Sequence, residues 1–379
     1  MDAVADTIHL TGFIRDVRYT ACMASPLTSY SADGFDINNV APSGVLTFAA
    51  GQAAYSRWVS PKRTRSYPFE RIYNTFNAPL RITVIPVIKD EGADADLDRI
   101  QYSTVSWMNL LNVYVVLGYY KEASKNRSVK RGAKECLTGQ KLDADAVNDQ
   151  IAGIIAYKQS ALHWNRTLFE TRFAQTYRSA LDAYAGISSR TGVAVHDRAV
   201  QERYLNSVIA DYDEFRVRSL RGSAGAAVRE SSTFHRLEYL SDGAKAILAI
   251  ENYLGGVYHL TADEIVVADD VTILQESKNT KDALPSLSDI KDGLFKLILF
   301  SNLDRLEHDG EPVTFATRLK LTGSGVRSSV RLPCDPQVLA DFFAANAGVF
   351  TARHKKTILL LEQEAIANRL TIEIGGNTT

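Results

Sequence analysis

ADEIVVADDVTILQESK, residues 262–278, is the stretch around which the chain is organised. Two short runs, Glu264-Ile265-Val266-Val267 and Val271-Thr272-Ile273-Leu274, flank Asp269-Asp270. β-Branched residues favour strands and a pair of acidic residues suits a tight turn, so the stretch predicts a hairpin. Side chains two apart on a strand share a face. Glu276 and Lys278 therefore project together, with Ser277 opposite. Closure at Asp269-Asp270 places Asp263 across from the Glu276 end. The expectation is two carboxylates and one ammonium at one sheet edge.

Two hard carboxylate oxygens, with waters and a phosphate oxygen, suit an octahedral Mg²⁺. Such a metal lowers the pKa of bound water and neutralises charge growing on a phosphodiester. A neighbouring ammonium can orient that water or stabilise the transition state. Asp263-x12-Glu276-x-Lys278 resembles the PD-(D/E)xK pattern of the restriction-endonuclease-like nuclease superfamily, with Ala262 where many members carry Pro. The resemblance covers at most the C-terminal third or so of the chain. It implies an α/β fold with a mixed central sheet flanked by helices. It also implies Mg²⁺-dependent hydrolysis of DNA. Asp263 and Glu276 would hold the metal, with the Ser277 main-chain carbonyl as a further ligand, and Lys278 would serve the attacking water. A further acidic residue from the helix before the first core strand is a feature of such nucleases. Glu251 fits that place, with Glu238 second.

A second (D/E)xK pair, Asp289-x-Lys291, sits in SDIKDGLFKLILFSNL. There Ile290, Leu294, Leu297 and Ile298 recur at helical spacing, and helix positions i and i+2 do not share a face. That pair is set aside. For 262–278 an alternative stays open: a surface hairpin whose edge is blunted by charge.

The chain has 379 residues, of which 45% are hydrophobic, enough for two domains or one with a large insertion. Its formal net charge is -1, so any nucleic-acid contact must come from local basic patches. One such stretch is SRWVSPKRTRSYPFERIYNTF, where Arg57, Lys62, Arg63 and Arg65 alternate with aromatic residues suited to base stacking. Arg218 and Arg221, before a glycine-containing loop, and Arg318 and Lys320, on one face of a predicted 315–332 hairpin, are further candidate DNA contacts. Cys22, Cys136 and Cys334 form no zinc spacing or disulfide framework. With no leader-like start and no apolar run of membrane length, the expectation is a cytoplasmic protein.

Along the chain, 81–88 and 112–119 read as buried strands joined by a helix over 97–111, a right-handed βαβ unit. Between them, 89–98 is acidic (KDEGADADLD) and sits where open α/β sheets place their sites. Residues 121–141 read as loop, 143–181 and 199–218 as helices, and 231–254 as two helices with a break. Then come the hairpin, a helix over 289–303, the basic hairpin, a helix over 336–347, and strands at 357–361 and 369–374. This divides the chain into an N-terminal α/β region (1–141), a helical subdomain (142–230) and a nuclease core (231–379).

The sequence thus points to a metal-dependent deoxyribonuclease, and by analogy with the superfamily to a site-specific type II restriction endonuclease. Its partners would be double-stranded DNA, a second copy of itself as a homodimer, and a cognate DNA methyltransferase. Two other readings remain. One is a non-catalytic, sequence-specific DNA-binding protein. The other is a metal- or nucleotide-handling enzyme working at the acidic loop 90–98.

Overall fold

A computed structural model describes residues 8–49, 51–62, 68–127, 137–209, 244–252, 257–268 and 271–377. In chain order its elements begin with β1 (Ile8–Ile14), β2 (Thr28–Ser31), β3 (Ser43–Phe48), β4 (Gly51–Arg57) and α1 (Pro68–Asn74). β5 (Arg81–Pro86), β6 (Ile88–Asp90), β7 (Leu97–Arg99), α2 (Tyr102–Leu110), β8 (Tyr114–Gly118), β9 (Tyr120–Lys125) and β10 (Leu137–Leu142) follow. Four helices come next: α3 (Ala144–Ala156), α4 (Ala161–Thr171), α5 (Phe173–Thr191) and α6 (Arg198–Ile209). The C-terminal part holds β11 (Ala244–Asn252), β12 (Val257–Ala268), β13 (Val271–Asn279), α7 (Leu287–Phe300), β14 (Arg305–His308), β15 (Glu311–Pro312), β16 (Phe315–Gly323), β17 (Val330–Leu332), α8 (Pro336–Ala345), α9 (Ala352–Asn368) and β18 (Thr371–Gly376). The protein is mixed α/β, and among the described residues no helix is long and apolar enough to cross a membrane.

Two compact units divide the chain, Met1–Ser25 with Arg221–Thr379, and Pro26–Leu220. This differs from the three-part division expected from sequence, for two reasons. β1 joins the C-terminal sheet by pairing parallel to β11. The helices of 142–209 pack on the N-terminal strands instead of forming a subdomain of their own.

In the Pro26–Leu220 unit the sheet order is β2-β3-β4-β5-β8. β5, α2 and β8 make the expected βαβ unit, with β5 and β8 parallel. β8 is an edge, and its ladder groups find side-chain partners on the covering helices. Gln150 of α3 accepts from the Leu117 amide (3.0 Å) and donates to its carbonyl (2.8 Å). Asn165 of α4 accepts from the Val115 amide (2.7 Å), and Trp164 donates to the Val115 carbonyl (2.8 Å). Both amides are buried, and they satisfy an edge that would otherwise offer itself to another strand.

In the other unit a nine-stranded sheet runs β15-β14-β1-β11-β12-β13-β16-β18-β17. Residues 244–252 form a strand where the sequence predicts a helix. AKAILAIEN has good helix formers, but pairing on both sides, to β1 and to β12, overrides that propensity. The predicted 315–332 hairpin is also revised, because β18 lies between β16 and β17. Residues 357–361, predicted as a strand, belong to α9, whose N-cap Thr351 accepts from the His354 amide.

α7 covers the sheet over β13 and β16. Leu294, Phe295, Leu297, Ile298, Leu299 and Phe300 are all fully buried, so the C-terminal half of the helix is covered on more than the sheet side. The outer cover includes residues 15–25, tied down by Asn302 accepting from the Arg18 amide (2.8 Å) and by Ser25 accepting from Lys291 (2.7 Å). Burial of each such side chain contributes about 1.5–3 kcal/mol.

Candidate functional site

The hairpin forms with the expected register: Ala268 pairs Val271 and Glu264 pairs Gln275. The turn residues Asp269 and Asp270 lie outside the described residues. Asp263 is described in its backbone alone, one residue beyond the last pair, Glu264 with Gln275, at which the ladder to β13 ends. On its other side β13 runs parallel to β16, with Glu276 level with Leu319 and Lys278 with Leu321. These four residues share the face beneath α7.

That face is approached closely because α7 carries Gly293. A Cβ there would stand 2.8 Å from Leu319, 3.4 Å from Lys278 Cε and 3.6 Å from Glu276 Cγ. A mid-helix glycine costs about 1 kcal/mol relative to alanine, and here it lets the helix axis settle onto the charged pair. The pair is therefore roofed by a helix, where the sequence suggested an open edge.

Glu276 is fully buried. Lys278 Nζ lies 3.0 Å from its Oε1, and Lys296 Nζ of α7 lies 2.8 Å from the same oxygen. Lys278 Nζ also lies 2.8 Å from Asp292 Oδ2. The cluster therefore comprises two carboxylates and two ammoniums. Burial alone would lower the Lys278 pKa. Glu276 outweighs it and, with Asp292 and against the opposing charge of Lys296, raises the pKa above the ordinary lysine value. Taking these charges out of water costs several kcal/mol per ion, so the arrangement persists because each charge has an opposite beside it.

Asp292 and Lys296 are the residues the sequence reading missed. They sit four apart on α7, a spacing that puts them on one helix face, but a polar helix pair is ordinarily a solvent-facing pair. What aims them inward is the position of Gly293 over β13. Asp289 and Lys291 indeed part company: Ser286 Oγ donates to Asp289 (2.6 Å), and Lys291 turns to Ser25.

Other candidates fall elsewhere. The Ser277 side chain lies on the opposite face of β13, its hydroxyl accepting from Gln275 (3.1 Å), and the candidate ligand there is its main-chain carbonyl. Glu251 is exposed near the far end of β11, level with Val257, whereas Ala246 is level with Ala262. Five residues of strand, roughly 16 Å, separate it from the Asp263 row, so it does not join the cluster. Glu238, Arg218, Arg221, Arg63 and Arg65 lie outside the described residues. Arg318 and Lys320 are level with Gln275 and Ser277, on the face away from Glu276, and Arg318 is paired with Glu373 (3.3 Å).

In the other unit, Arg57 donates to the Ile37 carbonyl and Lys62 pairs with buried Asp98 (3.1 Å). The described aromatic residues of that stretch, Trp58, Phe69, Tyr73 and Phe76, form core instead of a stacking surface. Trp58 is buried and donates to Thr83 (3.0 Å), and Phe69 packs edge-on to Trp107 at 4.1 Å. The acidic loop 90–98 is a small hairpin of β6 and β7. Its Asp90 and Asp98 are buried and engaged within the protein, Asp90 by His196 (2.9 Å) and Asp98 by Ser60 (2.6 Å).

Among the described residues no group of three or more His, Cys, Asp or Glu side chains could hold a metal ion. The carboxylates around Lys278, Glu276 and Asp292, carry the hard oxygens that Mg²⁺ takes, and both are paired with ammoniums. The chain matches no family model, no curated protein and no solved structure.

Proposed function

We propose that the protein is a Mg²⁺-dependent DNA endonuclease working at the Glu276–Lys278 face of β13. The observation that carries this reading is a fully buried carboxylate two residues from a lysine on one strand face, with Lys278 Nζ 3.0 Å from Glu276 Oε1. Support comes from the strand context, the hairpin pairing that ends one residue short of Asp263 and Glu276, and the helix-covered mixed sheet. Glu276 and Asp263 would hold the metal, with the Ser277 carbonyl. A bound Mg²⁺ supplies charge neutralisation at the scissile phosphate and a water of lowered pKa. Lys278 holds its proton firmly, so its part is to orient that water and to stabilise the developing phosphorane charge as an ammonium. Asp292 keeps Lys278 in place from the helix side. Within this reading a site-specific type II restriction enzyme, acting as a homodimer on palindromic duplex DNA and matched by a methyltransferase, is the proposed role.

One observation favours a DNA-binding protein without catalysis: Glu276, Lys278, Asp292 and Lys296 neutralise one another. Incubation of the purified protein with supercoiled plasmid separates the two. Nicking with Mg²⁺ that stops in EDTA supports the nuclease. Retention of DNA in EDTA with no nicking at any Mg²⁺ concentration supports the binder.

A further inference from the structure

In the Pro26–Leu220 unit, two half-buried arginines meet at the C-terminal end of β4. Arg57 closes β4, level with Val84 of the parallel strand β5, and Arg71 comes from α1, which lies between those strands in the chain. Each spends a donor on the main chain. Arg57 Nη1 donates to the Ile37 carbonyl and Arg71 Nη1 to the carbonyl of Arg57 itself (both 2.5 Å). A guanidinium carries further N–H groups on Nε and Nη2, and that edge is the fork that grips an oxyanion at two points. On both arginines the Nε–Nη2 edge has no protein partner among the described residues. Arg57 Nε is also buried, and a donor out of reach of water is costly to leave unmade.

Carbonyls meet these donors without neutralising their charge. Among the described residues neither guanidinium has a carboxylate at ion-pair distance. Nearby acids are engaged elsewhere, Glu91 with Lys89 (2.7 Å) and Asp98 with Lys62 (3.1 Å). The two arginine charges act on each other: burial and then Arg57 lower the Arg71 pKa, and the attraction of Glu70 ranks below both. Tyr120, whose hydroxyl donates to the Val59 carbonyl (2.5 Å), is their common neighbour, since both arginines oppose the rise that burial gives its pKa. Two like charges held together away from water call for a counter-charge of about two. A phosphate monoester carries about two negative charges near neutrality, whereas each phosphate of a nucleic-acid backbone carries about one. The C-terminal ends of parallel strands are also where open α/β sheets hold ligands. We propose that Arg57 and Arg71 together bind the terminal phosphate of a phosphomonoester through their Nε–Nη2 edges. This assignment does not rest on the nuclease reading.

The test uses the full chain and two probes: methyl phosphate, a dianionic monoester, and dimethyl phosphate, the monoanionic diester. Arginine Nε–H signals are followed by ¹⁵N NMR during titration, and the spectra of Arg57→Lys and Arg71→Lys assign the two that matter. Saturable movement of both signals with methyl phosphate at about millimolar affinity is expected, the range open to so few heavy atoms. Dimethyl phosphate should bind at least about tenfold more weakly. Methyl phosphate should lose at least about tenfold on either lysine variant, which keeps the charge and removes the fork. Should a variant fail to fold, the probe pair on the wild-type protein still decides. A nucleoside 5′-monophosphate and a 5′-phosphorylated oligonucleotide identify the source: binding of the oligonucleotide assigns a strand end, binding of the mononucleotide alone a free phosphomonoester. Absence of saturable movement with methyl phosphate, a loss below about tenfold for dimethyl phosphate, or a folded lysine variant that binds methyl phosphate as the wild type does overturns the proposal.

Discussion

Glu276 and Asp90 are buried carboxylates held in opposite ways. Asp90 is gripped by two main-chain amides and an imidazole N–H, donors that the backbone fixes in place. Glu276 is met by two ammoniums at the ends of flexible stems, one from its own strand and one from α7. Rigid donors position a group, as Asp90 positions His196. Lysine stems can swing aside and let a carboxylate change partner, as a metal or phosphate site requires. Asp90 is thus held by fixed donors and Glu276 by counter-ions on flexible stems.

The largest effect should come from removing the shared counter-ion. Glu276→Ala leaves two ammoniums beneath α7 without it and should cost about 3–5 kcal/mol in urea unfolding. A loss below about 1 kcal/mol would mean that the lysines reach water freely, and the contrast with Asp90 would collapse. Asp90→Asn keeps one acceptor oxygen and should cost less, about 1–3 kcal/mol, mostly through the imidazole contact. A larger loss than for Glu276→Ala would reverse the ranking.

The hairpin and its Glu276–Lys278 pair were legible because both rest on one local rule, the two-residue period of a strand. Gln275 and Ser277 fall on the other face for the same reason. Asp292 and Lys296 were not legible, since their inward aim depends on which face of α7 meets β13. Nor were the strand character of 244–252 and the helical character of 357–361, where β pairing and a continuous α9 overrule the reading of a short window. The aromatic residues of 57–73 misled in the same way. Their spacing among basic residues suggested base stacking, yet Trp58 and Phe69 belong to a core that only the βαβ packing reveals.

A smaller effect sharpens the electrostatic side of the contrast. The Lys278 pKa is raised in the folded protein, so its contribution to stability is fully present below the unfolded lysine value of about 10.5 and is lost as pH rises through the folded value. Above pH about 10.5 the unfolded chain releases that proton first, and stability falls with pH. Alkaline unfolding of the wild type should therefore be steeper than that of Lys278→Met, with matching slopes near neutrality. Identical alkaline slopes would remove Lys278 from the cluster.

Lys278→Ala tests the central claim most directly, because it removes one ammonium and leaves Glu276 paired with Lys296. An ammonium needed in the transition state acts on kcat, and losing one preorganised electrostatic group costs about 10² or more in rate. The measurement is single-turnover cleavage of duplex DNA with Mg²⁺, with a melting curve and DNA affinity on the same preparations. The account predicts a folded protein, DNA binding within about tenfold of wild type, and cleavage slowed at least about 10². A folded Lys278→Ala protein that cleaves within about threefold of wild type would contradict it, and would leave the cluster as a brace between β13 and α7.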